Sequence, residues 1–372
     1  MGNNVAIIGM AFSSFAEDHH EALDEIVFDT VYRALDDAAV RKGDLDLSLM
    51  ASYDLYEGRT ISYGMTLPAA AGYLNDEYRF QNDGMSVVIN AAAAIAGNNA
   101  EVALVTAMHK PEMSRAAGQD TAAFLDQLSN LAFDPHFVRP VGATGTALLA
   151  MHAARGLDRP ESDTASLARI AAAEINRGST SARAFRPAAS EADVEAAETR
   201  CWPLTELMLP AMSSGVVSLI LASNARARRA RQAHAWIRGS GSGGTTYTWN
   251  PQWLLDPAAA TRRAAERAYR LAGVLDPSSE IAVAEITALT PALMPSMTSA
   301  LGLDKLDTAR LNPSGGVRSN FPGLANGPLR MIEAITWLRD RPSSDPRLAV
   351  THATDYLLGT AASNSYVTVL EV

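Results

Sequence analysis

The chain has 372 residues, 48% hydrophobic and 19% charged, enough to bury one large or two moderate cores. A net charge of −10 argues against a phosphate-tracking surface, so no nucleic-acid partner is expected, and the basic run Arg226–Arg231 reads as a solvated helix or inter-domain link. The single cysteine, Cys201, excludes a disulfide framework and cysteine-rich metal sites, and no tightly bound cofactor or metal is expected. Apolar runs stay short of the roughly 20 residues of a membrane span, and the amino terminus lacks the regions of a secretory signal, so the expectation is a cytoplasmic protein with no membrane partner.

The first elements read as strand, helix, strand. Val5–Gly9 is a short β-branched run ending in glycine. Residues 21–40 carry apolar side chains at helical spacing (Leu23, Ile26, Val27, Val31, Leu35) and exit through Arg41-Lys42-Gly43. A strand over Leu49–Ala51 follows, and Thr66–Leu74 reads as a short helix. Tyr78–Met85 is then an extended segment that turns sharply into an alanine-rich helix over Ser86–Gly97, with Asn82 or Asp83 able to cap its first amides. Such an elbow suits a nucleophile because a helix N-terminus stabilises negative charge. This one has neither Cys nor Ser ahead of the helix.

Glu101–Ala107 is apolar almost throughout, as expected of a strand covered on both faces. Met108–Cys201 differs in character, mixing helices over Gly142–Arg155 and Ser162–Ile175 with Pro-, Gly- and Arg-rich connections, and reads as an excursion from the sheet. Ser214–Ala222 returns to it. The second half then repeats the order of the first: strand Ala235–Gly239, helix Ala258–Ala272, turn and strand Leu275–Ile286, helix Leu329–Leu338, strand Arg347–Val350 and closing strand Tyr366–Leu370.

The opening Val5–Ala11, the Gly43-Asp44-Leu45-Asp46 turn, the stretch Ala96–Val105, the return segment Met212–Ser223 and the glycine turn Asn312-Pro313-Ser314-Gly315-Gly316 together resemble the thiolase superfamily. Within it, the likeness is to the sterol-carrier-protein-type thiolases and lipid-transfer proteins. The resemblance runs along nearly the whole chain. It implies an α/β fold of two duplicated βαβ halves, layered α/β/α/β/α, with residues 1–230 forming the first half, a loop-domain insertion at about 110–200, and residues 231–372 forming the second. It also implies coenzyme A or an acyl-carrier thioester as ligand, with Gly315 and Gly316 in the binding turn. The partner would be a second copy or a Cys-bearing thiolase, paired through the strand behind the elbow helix, and a small accessory OB-fold subunit is a further partner of this kind.

The chemistry of that superfamily needs an acyl-carrying Cys thiolate, a His beside it and a further acid/base group. Counting along the motifs places Gln81 at the nucleophile position, Thr287 at one His position, and Asn320 and Phe321 at the Gly-His-Pro motif. Taken singly, each has an ordinary reading: a polar residue before a cap, a strand residue, an apolar filler. Their joint departure removes covalent acyl-cysteine chemistry. Cys201 stands near the end of the insertion, not on an elbow. His109 follows its strand at the sheet edge where α/β active sites gather, and His352, Asp355 and Tyr356 form a new candidate acid/base group, with Tyr247 a further donor. The leading expectation is a Cys-less subunit that partners a catalytic thiolase in an acyltransferase complex. The alternatives are a Cys-less lyase, retro-aldol or decarboxylating, on an acyl-CoA, and a non-catalytic lipid or acyl-CoA binder.

Overall fold

Strands that are apolar on both faces must be covered on both, and this requirement organises the chain. The computed structural model describes residues 5–57, 62–72, 75–112, 118, 121–157, 163–245, 251–341, 347–355 and 364–372. Nine strands form one mixed sheet: β1 (Val5–Phe12), β2 (Leu47–Ala51), β3 (Asp76–Phe80), β4 (Val102–His109), β5 (Gly215–Ser223), β6 (Ala235–Gly244), β7 (Ile281–Ile286), β8 (Leu348–Thr354) and β9 (Asn364–Glu371). Their order is β3-β2-β4-β5-β1-β6-β9-β8-β7. The two halves are mirror images in order about the short antiparallel contact of Val5–Ile7 with Ala235–Ile237. Where the second half would place its outermost strand, Leu311 makes a single parallel bridge to Ala284.

Two helices fill the centre: α2, defined here as Gly84–Ala96, and α6, Asn326–Arg339. They pack on each other and on strands of both half-sheets, around a core that includes Met85, Val88, Leu329 and Ile332. The outer faces are covered by α1 (Leu23–Ala38) on β1 and β5, and by α5 (Ala259–Ala272) on β6 and β9. Helix, half-sheet, central helices, half-sheet, helix gives the five expected layers. Between β4 and β5 the chain leaves the sheet for α3 (Gly145–Leu157), α4 (Thr164–Gly178) and a hairpin of Thr199–Cys201 with Leu204–Thr205. Arg318 of the second half pairs with Glu174 of α4, both fully buried, and ties this excursion to the glycine turn.

Three local expectations change. The helix expected over Thr66–Leu74 lies earlier, at Ser62–Thr66, and residues 67–71 form turns, because Pro68 withholds a backbone N–H and interrupts the helical ladder. The strand from Ala235 runs on to Gly244 through a sequence of poor strand propensity. Its glycines alternate, and a Cβ at Gly239, Gly241 or Gly243 would lie 2.2, 2.1 and 2.1 Å from the carbonyls of Ala268, Ala264 and Ala260. These are successive turns of α5, so the helix backbone rests directly on the strand. Third, β4, the strand behind the elbow helix, is paired on both sides, with β2 and β5. It therefore has no edge to offer a partner; β3, the strand before the elbow, is at the sheet edge, with Tyr78 59% exposed.

The contact of strand on helix predicts that Gly241→Ala, which forces a methyl against main chain, lowers the stability to urea by about 1–3 kcal/mol, whereas Gly43→Ala, with open space around it, stays within about 0.5 kcal/mol.

Candidate functional site

The ends of β2, β3 and β4 converge where α2 begins, and the first turn of α2 leaves backbone amides without helical partners. Asp83 is the N-cap. Its Oδ1 accepts the Met85 N–H at 2.8 Å. Its Oδ2 reaches across to accept the Gly327 N–H at 3.2 Å, an amide in the first turn of α6, where Pro328 has no N–H to satisfy. One carboxylate thus terminates both central helices. It is buried, and that burial, reinforced by the neighbouring Asp355, pushes its pKa well above the ordinary carboxylate value.

Asp355, at the end of β8, holds the elbow from the other side. Its oxygens accept the Asp83 N–H and the Asn82 side-chain amide, each at 2.9 Å, Asn364 Nδ2 at 2.7 Å and the Tyr366 hydroxyl at 3.2 Å. Burial raises its pKa too, opposed by these donors. A further chain of bonds comes from the second half: Thr287 Oγ1 donates to the His352 carbonyl at 2.9 Å and accepts from Asn326 Nδ2 at 2.9 Å, fixing the residue next to Gly327, whose N–H Asp83 accepts.

Below the cap, Tyr56, Asp83, His109, Met212, Phe321 and Leu324 line a small cavity of about 10 Å³, room for about one water. Among the described residues neither ring nitrogen of His109 has a hydrogen-bond partner. The imidazole meets the Tyr56 ring edge to face at 5.2 Å, and burial lowers its pKa to about 4, so it is neutral at pH 7.

No protein-family model and no curated protein matches the sequence. Solved structures match along the whole chain. An "Ltp2-ChsH2(DUF35) aldolase" superposes with a TM-score of 0.78 at 20% identity, covering 100% of this chain and 98% of the other. Human mitochondrial 3-ketoacyl-CoA thiolase in complex with CoA does so at 0.75 and 13%, covering 99% and 98%. A monomeric SCP2-thiolase-like protein from Mycobacterium smegmatis gives 0.72 and 17%, covering 100% and 77%.

The chain has the thiolase fold.

In this thiolase fold the sequence-derived positions take separate places. Gln81 is exposed at the start of the elbow and does not line the cavity beneath it. Thr287 is buried with its hydroxyl already donating and accepting. Asn320 is spent on Ser213 Oγ, which donates to it at 2.5 Å, and on the Arg183 carbonyl, to which it donates at 2.6 Å. Phe321, 1% exposed, packs into the cavity wall. His352 and Asp355 part company: His352 faces α5, its Nε2 3.1 Å from Thr261 Oγ1, and burial lowers its pKa to about 3, whereas Asp355 faces the elbow. Residues two apart along a strand share a face and residues three apart do not; His352 on β8 and Asp355 just beyond its end therefore point to opposite sides and cannot act as one pair. Tyr356 and Tyr247 lie outside the described residues. Gly315 and Gly316 are buried at positive φ, and a Cβ on Gly315 would lie 2.6 Å from the Glu174 carbonyl. Their turn packs on α4, beside Ser314, whose hydroxyl donates to Glu285 at 2.7 Å and accepts from Arg330 at 2.8 Å; it is not an open cradle. Sequence reasoning offered Asn82 or Asp83 as the cap, of which Asp83 is the one that caps, and it pointed to the place of His109. It did not find Tyr56 or the reach of Asp83 to Gly327, 244 positions away.

Three outcomes follow from this geometry. Asp83→Ala leaves two buried amides unpaired and costs about 2–4 kcal/mol in urea unfolding. A carboxyl with a raised folded pKa contributes stability that is fully present below its unfolded value and lost as pH rises through the folded one; hence Asp83→Asn, which cannot ionise, gains on the parent protein as pH rises above 4. His109 has the opposite sign, its stability being present above pH 6.5 and lost as pH falls towards 4. His109→Met therefore flattens the acid limb of the stability profile by up to about 3 kcal/mol.

Proposed function

We propose that this protein is a non-condensing, Cys-less subunit of an acyl-thioester complex, one that binds or shapes an acyl-CoA or carrier-bound acyl group alongside a Cys-bearing thiolase. The observation that carries the reading is the Asp83 carboxylate. A helix N-terminus lowers the pKa of a thiolate or holds a developing oxyanion because its amides are free to receive negative charge. Here the Met85 and Gly327 amides already bond to Asp83, and the cavity beneath holds no more than about one water. Anion stabilisation at the elbow has been turned from chemistry to structure.

Two further facts favour a partnered role. The elbow is tied to Asp355, next after β8, by two donors, the Asn82 side chain and the Asp83 N–H, while Asn364 and Tyr366 of β9 hold the same carboxyl group, so the elbow is fixed in place although the reactive side chains expected of it are not there. The edge of β3 is open for pairing with a second chain. The neighbour titled an Ltp2-ChsH2 aldolase names two components, and the thiolase neighbour is in complex with CoA; both suit a heteromeric, CoA-linked reading. The runner-up is a Cys-less lyase, and what favours it is His109, a neutral imidazole beside Asp83 whose nitrogens have no partner among the described residues. The small size of the cavity, about 10 Å³, weighs against it.

Co-expression with a Cys-bearing thiolase from the same organism is expected to yield a hetero-oligomer. The isolated chain is expected to form no acyl adduct by intact-mass spectrometry and to turn over neither acetoacetyl-, malonyl- nor β-hydroxyacyl-CoA. Gln81→Cys restores no thiolysis, because the helix end remains occupied. Thiolysis by Gln81→Cys would overturn the reading, and cleavage of β-hydroxyacyl-CoA by the parent chain would transfer it to the lyase.

A further inference from the structure

We propose a second small-molecule site, remote from the elbow, that takes an amphiphile with one anionic head, a carboxylate or a phosphate. The C-terminal half of α3, the first turns of α4 and residues 291–296 enclose a cavity of about 320 Å³, the size of a small ligand pocket. None of its lining residues lines the elbow cavity.

The walls divide by chemistry. Leu167, Ile170, Pro291 and Pro295 make an apolar side suited to a short hydrocarbon chain. His152 and Arg155, three residues apart on α3 and so on one helix face, make the polar side. The His152 ring is set by an edge contact with Trp253, centroids 5.5 Å apart. Arg155 is anchored by one bond to the Leu254 carbonyl, and among the described residues no carboxylate pairs with it. A guanidinium has five N–H donors in a planar fork that matches carboxylate and phosphate oxygens, so the anchored Arg155 retains donors for a ligand. The helix end at α4 is not the anion holder, since Asp163 already caps the Ser166 N–H at 2.7 Å. A guanidinium with no carboxylate partner among the described residues, beside an apolar wall, selects an anionic amphiphile over a neutral one.

Calorimetric titration of the full chain with octanoate, octyl phosphate and octanol tests the site. Saturable one-to-one binding of octanoate or octyl phosphate is expected, the better of the two identifying the head group, with octanol at least about tenfold weaker. Arg155→Ala, at an exposed position, weakens binding by about tenfold or more, and Ile170→Trp, which fills the cavity, abolishes it while thermal melting stays cooperative. No saturable binding of either anion, equal binding of octanol, or undiminished binding to both variants overturns the proposal.

Discussion

Two helix N-termini that meet in the middle of a protein pose an electrostatic problem, because their unpaired amides concentrate partial positive charge in a low-dielectric interior. Something negative or polar must meet them. In this chain Asp83 accepts from Met85 on one helix and from Gly327 on the other, and much else in the structure is arranged around that contact. The half-sheets wrap the two helices, Asp355 grips the backbone of the same residue, and Thr287 and Asn326 brace the Gly327 side of the contact from the second half. A carboxylate so placed is costly to bury and costly to remove, which gives the centre of the fold its specificity.

The architecture was legible in the sequence because it rests on periodicity. The continuous apolar run of β4, the amphipathic spacing of α1 and the repeated order of elements each follow from burial on a strand or helix face, and burial leaves a one-dimensional trace. The site was legible only where its cause was local. Asp83 as a cap is a property of neighbours in sequence; Asp83 as a clasp to Gly327 depends on how the halves meet. The grouping of His352 with Asp355 failed for a local reason of a different kind, since proximity in sequence says nothing of which side of a strand a residue faces unless parity is counted. The extension of β6 through Gly244 was hidden because its glycines serve α5, a helix that comes later in the chain, while propensity alone argues against a strand.

The positions expected to be catalytic are not idle. Thr287, Asn320 and Phe321 have become parts of the packing and hydrogen bonding that hold the second half against the elbow and the insertion. Fully buried ion pairs reinforce the same junctions: Arg330 with Glu285 under the glycine turn, Arg318 with Glu174 against α4. Buried pairs of this kind add little net stability compared with apolar packing, yet removing one partner strands the other. They fix how the insertion seats on the second half, and so define the walls of the cavity between α3, α4 and residues 291–296.

The double cap also constrains the history open to this sequence. A thiolate at position 81 is of little use while Asp83 occupies the amides that would activate it, and removing Asp83 first leaves two buried donors unmet before any nucleophile is present. Each single step towards an acyl-cysteine enzyme is neutral or harmful, and only the pair taken together could be favoured. On the proposed reading, substitutions at positions 81 and 83 are therefore coupled, each changing the effect of the other, whereas the surface and the remote cavity stand outside that coupling.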